Sequence, residues 1–227
     1  MQVLQKQAAE FASLLESLSQ PFQALDAEVE KELVKLAIAI ATLIGCLVTH
    51  DKQRLLVDCG LFQGYKQLRL RNWTPLPVAP DQVDAVVLTH AHLDHSGYLP
   101  LLAKEGFHGK AWATPATRDL ASILLPDSGH IQEEDAAFAN RHGFSRHAPA
   151  LPLYTEEDAR RCLKLLHAVP MQEAFEPLPG WVARFSGAGH ILGAASLLLE
   201  VGGRRILFSG DLGRPDDLLM KPPEPPP

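Results

Sequence analysis

Along the first 44 positions the apolar residues Leu4, Ala8, Phe11, Leu15, Leu18, Phe22, Leu25, Val29, Leu36 and Leu43 recur at spacings that average about 3.5 residues, the mark of a helix with one apolar seam. Such a seam suits a helical partner or a second copy of the chain as well as it suits the chain's own core. Pro21 costs a helix interior about 3 kcal/mol or more, so the pattern predicts a break there, with Pro21 near the start of a second helix. From Gly45 the period changes. Arg54 to Val57, Ala85 to Leu88, Lys110 to Ala113, Val182 to Phe185, Ala195 to Val201 and Arg205 to Phe208 read as strands, several of them apolar enough to be buried on both faces. Helices are expected between them, near Leu99 to Lys104, Thr117 to Leu125 and Glu156 to His167. Thr155 followed by Asp158 forms a capping box for the last of these. Strands alternating with helices predict an α/β architecture.

Composition narrows this only slightly. With 46% hydrophobic and 21% charged residues, the 227-residue chain has the balance of a globular protein. Its formal net charge of -6 argues against gripping nucleic acid by bulk charge alone. Three cysteines without paired spacing fit a reducing compartment, and no signal-peptide pattern opens the sequence, so a cytoplasmic location is expected. The nearest approach to a membrane span, the uncharged run Leu36 to Val48, is shorter than the roughly 18 to 20 residues that cross a bilayer, and no membrane partner is expected. Residues 217–227, rich in proline, read as an extended linker or tail.

Chemistry concentrates where the strand Ala85 to Leu88 ends. There the run Thr89, His90, Ala91, His92, Leu93, Asp94, His95 offers three imidazoles and a carboxylate within six residues. Imidazole and carboxylate suit Zn²⁺, and alternate residues of an extended segment project together, so His90 and His92 are placed to share an ion while Asp94 and His95 point to a second. Further strand ends carry the same chemistry: Asp58 after Leu55 to Val57, His190 between Gly189 and the turn at Gly193, and Asp211 after Ser209 and Gly210. Acids and histidines at successive strand ends are the layout of an active site along one sheet edge.

Asp58, the run from Thr89 to His95, Gly189 with His190, and Ser209 to Asp211 resemble, in order, the first four motifs of the metallo-β-lactamase superfamily. The stretches from Asp58 to Gly64, from His95 to Pro100, from Thr114 to Leu120, from Leu125 to Asp135 and from Gly210 to Pro215 resemble its β-CASP branch of RNA-processing nucleases, in the bacterial form. The resemblance implies an αββα sandwich, present in part, over residues 45–216 after a helical, coiled-coil-like segment at 1–44. It implies zinc held by His90, His92 and His190, a second zinc at Asp94 and His95, and Asp211 bridging the two. It also marks Asp94 and Asp58 as catalytic, with Asp58 orienting the site from behind the ligands. The activity implied is hydrolysis of RNA phosphodiesters by a hydroxide shared between ions about 3.5 to 4 Å apart. The family's first strand precedes the segment matching Gly45, and a later histidine and a β-CASP domain follow its fourth motif. The expectation is therefore a truncated chain whose sheet loses or replaces its first strand and whose second metal site lacks one ligand. Residues 14–44 loosely resemble flagellar and type III secretion stator proteins.

Two other functions are compatible with the residues. One keeps the metals but hydrolyses a small ester, thioester or lactam. The other is a non-catalytic fusion or fragment that binds a partner through residues 1–44. Among the remaining histidines only His130, near Glu133, Glu134 and Asp135, is a candidate to face the cleft. Cys59 reads as packing.

Overall fold

The computed structural model describes residues 37–40, 44–145 and 147–225. The chain divides into two units, Met1–Ala37 and Ile38–Pro227, and the architecture below is that of the second.

Ten strands form two sheets. The first sheet has six in sequential order: β1 (Ala37–Ile40), β2 (Ile44–His50), β3 (Gln53–Gly60), β4 (Ala85–Val87), β5 (Lys110–Ala113) and β6 (Leu166–Ala168). The pair β2 and β3 is an antiparallel hairpin, and β3 through β6 run parallel. The second sheet is antiparallel, in the order β10 (Arg204–Phe208), β9 (Ala195–Val201), β8 (Val182–Gly187) and β7 (Ala174–Phe175). The helices are α1 (Lys66–Arg69), α2 (Leu93–Ser96), α3 (Leu99–Lys104), α4 (Pro115–His142) and α5 (Glu156–Cys162).

The parallel strands are buried on both faces because they carry apolar residues at both parities. Leu56, Val86 and Ala111 belong to one cluster with Leu99, Leu102, Leu125 and Cys162 from the helices and Tyr154 from the loop before α5. Leu55, Val57, Ala85 and Val87, of opposite parity, are equally buried. In the second sheet β8 begins with alternation, Ala183 and Phe185 buried beside the exposed Val182, and Leu207 of β10 is exposed, while the central β9 is buried at both parities, Leu197 and Leu199 together with Ser196 and Leu198. At about 1.5 to 3 kcal/mol for each fully buried large aliphatic side chain, these two layers hold the strand ends rigidly enough to carry a site. Trp181 ties the sheets together, its indole N–H donating to Gln53 Oε1 at 2.7 Å.

Three expectations need correction. The helical pattern was expected to run through residue 44, but Ala37–Ile40 form β1 and Ile44 begins β2. Ile38 and Ile40 alternate with Ala37 and Ala39 at a period of two, and an edge beside β2 rewards extended backbone. The sheet therefore keeps a strand ahead of β2. The rest of the segment, with its seam for a helical partner and its likeness to stator proteins, lies outside the described residues. Second, the helix expected to stop at Leu125 continues through Pro126 to His142, since Leu125, Pro126, Ser128 and Gly129 are buried and Gly129 lies against the backbone of Thr155 and Glu156. Third, the helix expected to reach His167 ends at Cys162, and after a short 3-10 turn the chain enters β6. The capping box at Thr155 and Asp158 is formed.

Candidate metal centre

Every sequence-predicted site residue lies at or just beyond a strand end. Asp58 is in β3. His90 and His92 follow β4, and Asp94 and His95 are in α2, whose N-cap is His92. His190 is on the loop from β8 to β9, and Asp211 follows β10. The α2 segment reaches β3 only because residue 60 is glycine: a Cβ there would stand 1.5 Å from the carbonyl oxygen of Asp94. Ser96 Oγ donates to the carbonyls of Ala91 (2.9 Å) and His92 (3.1 Å), which fixes the turn between the histidines and the helix.

The structure brings His90, His92, His190 and Asp211 together, with one ligand atom from each lying within 4.8 Å of every other. His92 Nδ1 is 3.1 Å from His90 Nε2 and 3.2 Å from His190 Nε2. Asp211 Oδ2 is 3.6 Å from His190 Nε2 and 3.9 Å from His90 Nε2. Donors about 2.0 to 2.1 Å from one tetrahedral zinc would be about 3.3 Å apart, so these separations are close to the edges of a coordination tetrahedron. Proton accounting points the same way. His90 Nδ1 lies 3.1 Å from Thr89 Oγ1, which itself bonds Asp58 Oδ2 at 2.9 Å, so the imidazole proton belongs on Nδ1 and a lone pair on Nε2 faces the cluster. His92 Nδ1 has room for at most one proton between its two imidazole neighbours. A cation satisfies lone pairs that converge in this way, and the donor set fits zinc.

Asp58 organises the other side. It accepts from Thr89 N at 2.7 Å and from His95 Nδ1 at 2.9 Å, and it does so from a left-handed backbone conformation with φ 59°. With Nδ1 so engaged, His95 presents Nε2 to Asp211 Oδ1 at 3.4 Å. Asp211 thus lies between His95 on one side and His90 and His190 on the other. Asp94 joins no group of three potential ligands among the described residues. Burial, more than the nearby charge of His95, pushes the His90 imidazole down to about 3, so it is neutral at pH 7. For His95 burial also acts downward, but the hydrogen bond and charge of Asp58, with Asp211 and Asp94, outweigh it and raise its pKa.

Residues 42–227 match the model of the metallo-beta-lactamase superfamily. The chain belongs to that superfamily. It is 38% identical over 181 residues to "Ribonuclease TTHA0252" of Thermus thermophilus, covering 79% of this chain and 37% of that protein. It is 32% identical over 191 residues to "Transcription termination factor FttA" of Methanosarcina mazei, covering 77% and 27%, and 29% identical over 187 residues to "Cleavage and polyadenylation specificity factor 73" of Drosophila melanogaster, covering 81% and 25%. The chain therefore spans less than two-fifths of the length of these curated relatives.

Within the metallo-beta-lactamase core several contributors escaped the sequence reading. Thr89 was read only as the opening of the histidine run, with no role of its own, yet its hydroxyl links His90 to Asp58. A hydroxyl residue directly before the first histidine was the available signal. Thr114 and Thr117 both donate to the carbonyl of Gly193, at 2.7 and 3.0 Å, and fix the far end of the His190 loop. His130 is elsewhere, on the exposed face of α4, 3.6 Å from Glu134 and 3.8 Å from Glu156. Cys59 is fully buried in the helix-facing core. No helix among the described residues is long and apolar enough to cross a membrane.

Proposed function

We propose that this chain is the catalytic core of a zinc-dependent RNA phosphodiesterase of the β-CASP kind. The observation that carries this reading is the convergence of His90, His92, His190 and Asp211 within 4.8 Å. The choice of RNA is supported by relatives named as a ribonuclease and as a cleavage and polyadenylation factor.

Zinc bound among these residues supplies Lewis acidity at a phosphoryl oxygen and lowers the pKa of a coordinated water to about 7. The remaining tasks fall to the protein. Thr89 and Asp58 keep the His90 proton on Nδ1 and aim Nε2 inward. Asp58 does the same for His95, whose Nε2, beside Asp211 and with Asp94, would help hold a second cation. Asp211 is 45% exposed at its side chain while that of His90 is fully buried, so the site opens on the Asp211 side, where a phosphodiester would enter. The free cysteines support a reducing, cytoplasmic setting. The apolar seam in residues 1–36 supports a helical partner or self-association, and deleting those residues should abolish any dimer seen by light scattering.

The decisive experiment is cleavage of single-stranded RNA by the zinc-loaded chain, with metal counted in parallel. About two zinc equivalents and turnover are expected. His92→Ala should abolish cleavage and lower zinc affinity by about 100-fold or more. Intact zinc with inert RNA and hydrolysis of a thioester would move the chain to a small-substrate branch. Absence of all turnover would favour a non-catalytic role.

A further inference from the structure

The loop carrying His190 is held by groups that come from elsewhere in the chain. Just after β8, Gly213 N donates to Ala188 O at 2.9 Å. At its far end the hydroxyls of Thr114 and Thr117 share Gly193 O. Its near end, Gly187, closes β8 at a point beyond the reach of β7, which pairs only with Ala183 and Arg184. The backbone of Gly187 on that edge needs a partner, and it finds one in residue 224. Glu224 N donates to Gly187 O at 2.8 Å, and Gly187 N donates back to Glu224 Oε2 at 2.9 Å. The same carboxylate oxygen accepts from Gln172 Nε2 at 2.6 Å. Pro222, Pro223 and Pro225 have no backbone N–H, so Glu224 is the one residue of 222–225 able to make both bonds. The neighbouring Lys221 carbonyl lies 2.5 Å from the place of a Cβ on Gly189, so this segment is seated directly on the glycine before His190.

We infer that Glu224 is a positioning residue for the metal centre: its main chain and carboxylate grip Gly187 and hold the His190 loop where Nε2 meets His92 and Asp211. This rests on the reading of His190 as a metal ligand. A segment that composition marks as a passive proline-rich linker thereby becomes part of the support of the site. The carboxylate acts here as an acceptor of N–H groups and not as a charge. An amide oxygen can take its place; a methyl group cannot.

The test compares the full chain with Glu224→Ala and Glu224→Gln by zinc titration against a competing chelator and by hydrogen exchange of the peptide 187–194. Glu224→Ala should weaken zinc binding about 10-fold, in the range of lost support behind metal ligands. It should also speed exchange in that peptide by about 5-fold or more. Glu224→Gln should stay within about 2-fold of the parent on both, since its Oε1 accepts the same N–H groups. Parent-like zinc binding and exchange in Glu224→Ala would overturn the proposal. So would a Glu224→Gln chain as impaired as Glu224→Ala, because charge and not acceptance would then be responsible. If the parent chain takes up no zinc, the reading of the metal centre fails, while exchange at Gly187 still decides whether Glu224 holds the loop.

Discussion

Two six-residue stretches of this chain each carry four histidines or acids, and only one of them gathers its groups. The run from His90 to His95 follows β4, and its imidazoles meet each other, His190 and Asp211 at 3.1 to 3.9 Å. The run from His130 to Asp135 lies on α4, where the helix turn spreads successive side chains around the axis. His130 ends beside Glu134 and Glu156, Glu133 caps the backbone of Glu156, and Asp135 is directed into a different cleft beside Leu61. Local density of ligand chemistry therefore does not make a site. Convergence requires an extended segment at a buried strand end, with other strands ending at the same place.

That contrast can be broken at several points. The largest effect is expected from acid. His90 is held near 3 in the folded chain and titrates near 6.5 when unfolded. The unfolded state therefore takes up the extra proton as pH falls, and stability of the zinc-free chain should drop from pH 6.5 toward pH 3, with no further loss from this group below that. His95 works in the opposite sense: its raised folded pKa gives stability that is complete below its unfolded pKa and is lost as pH rises through the folded one. Urea midpoints of chelator-treated protein between pH 4 and pH 7 measure the balance, and a rise in stability on acidification would contradict the assignment of His90.

A smaller effect follows from Asp58→Asn, which keeps a residue tolerant of the left-handed backbone but removes the charge facing Thr89 and His95. Zinc affinity should fall by about 10- to 100-fold. By NMR titration the His95 imidazole should also titrate at lower pH than in the parent, since Asp58 is the leading upward influence on it. The smallest effect is expected on the other side of the comparison. His130→Ala removes only exposed ion pairs, so stability should change by less than about 0.5 kcal/mol and zinc affinity should not move. A metal defect in His130→Ala would erase the distinction between the two stretches.

What the sequence reveals and what it hides follow from the same physics. The cores of β3, β4, β5, β8, β9 and β10 are legible because each buries a continuous or alternating apolar run. The candidate ligands are legible because lone acids and histidines end those runs. β1 was masked by a helical period that holds until residue 36, and β6 was taken for the end of a helix because three residues paired to a distant strand carry little pattern of their own. The helix expected near Thr117 to Leu125 runs on through Pro126, because burial of its neighbours against α5 outweighs the cost of the proline. Thr89 and Glu224 stayed hidden for a different reason. Their partners are backbone groups or side chains tens of residues away, and nothing in the local spelling announces those contacts.

Asp58 occupies a conformation that costs most side-chain-bearing residues about 1 to 2 kcal/mol, and glycine would adopt it freely. A redesign of this chain guided by backbone comfort alone would therefore choose glycine at that position. The same exchange would leave Thr89 and His95 without their common acceptor. A buried donor left unpaired costs about 1 to 3 kcal/mol, as much as the backbone relief returns, so a search for hardier variants has to hold Asp58 fixed.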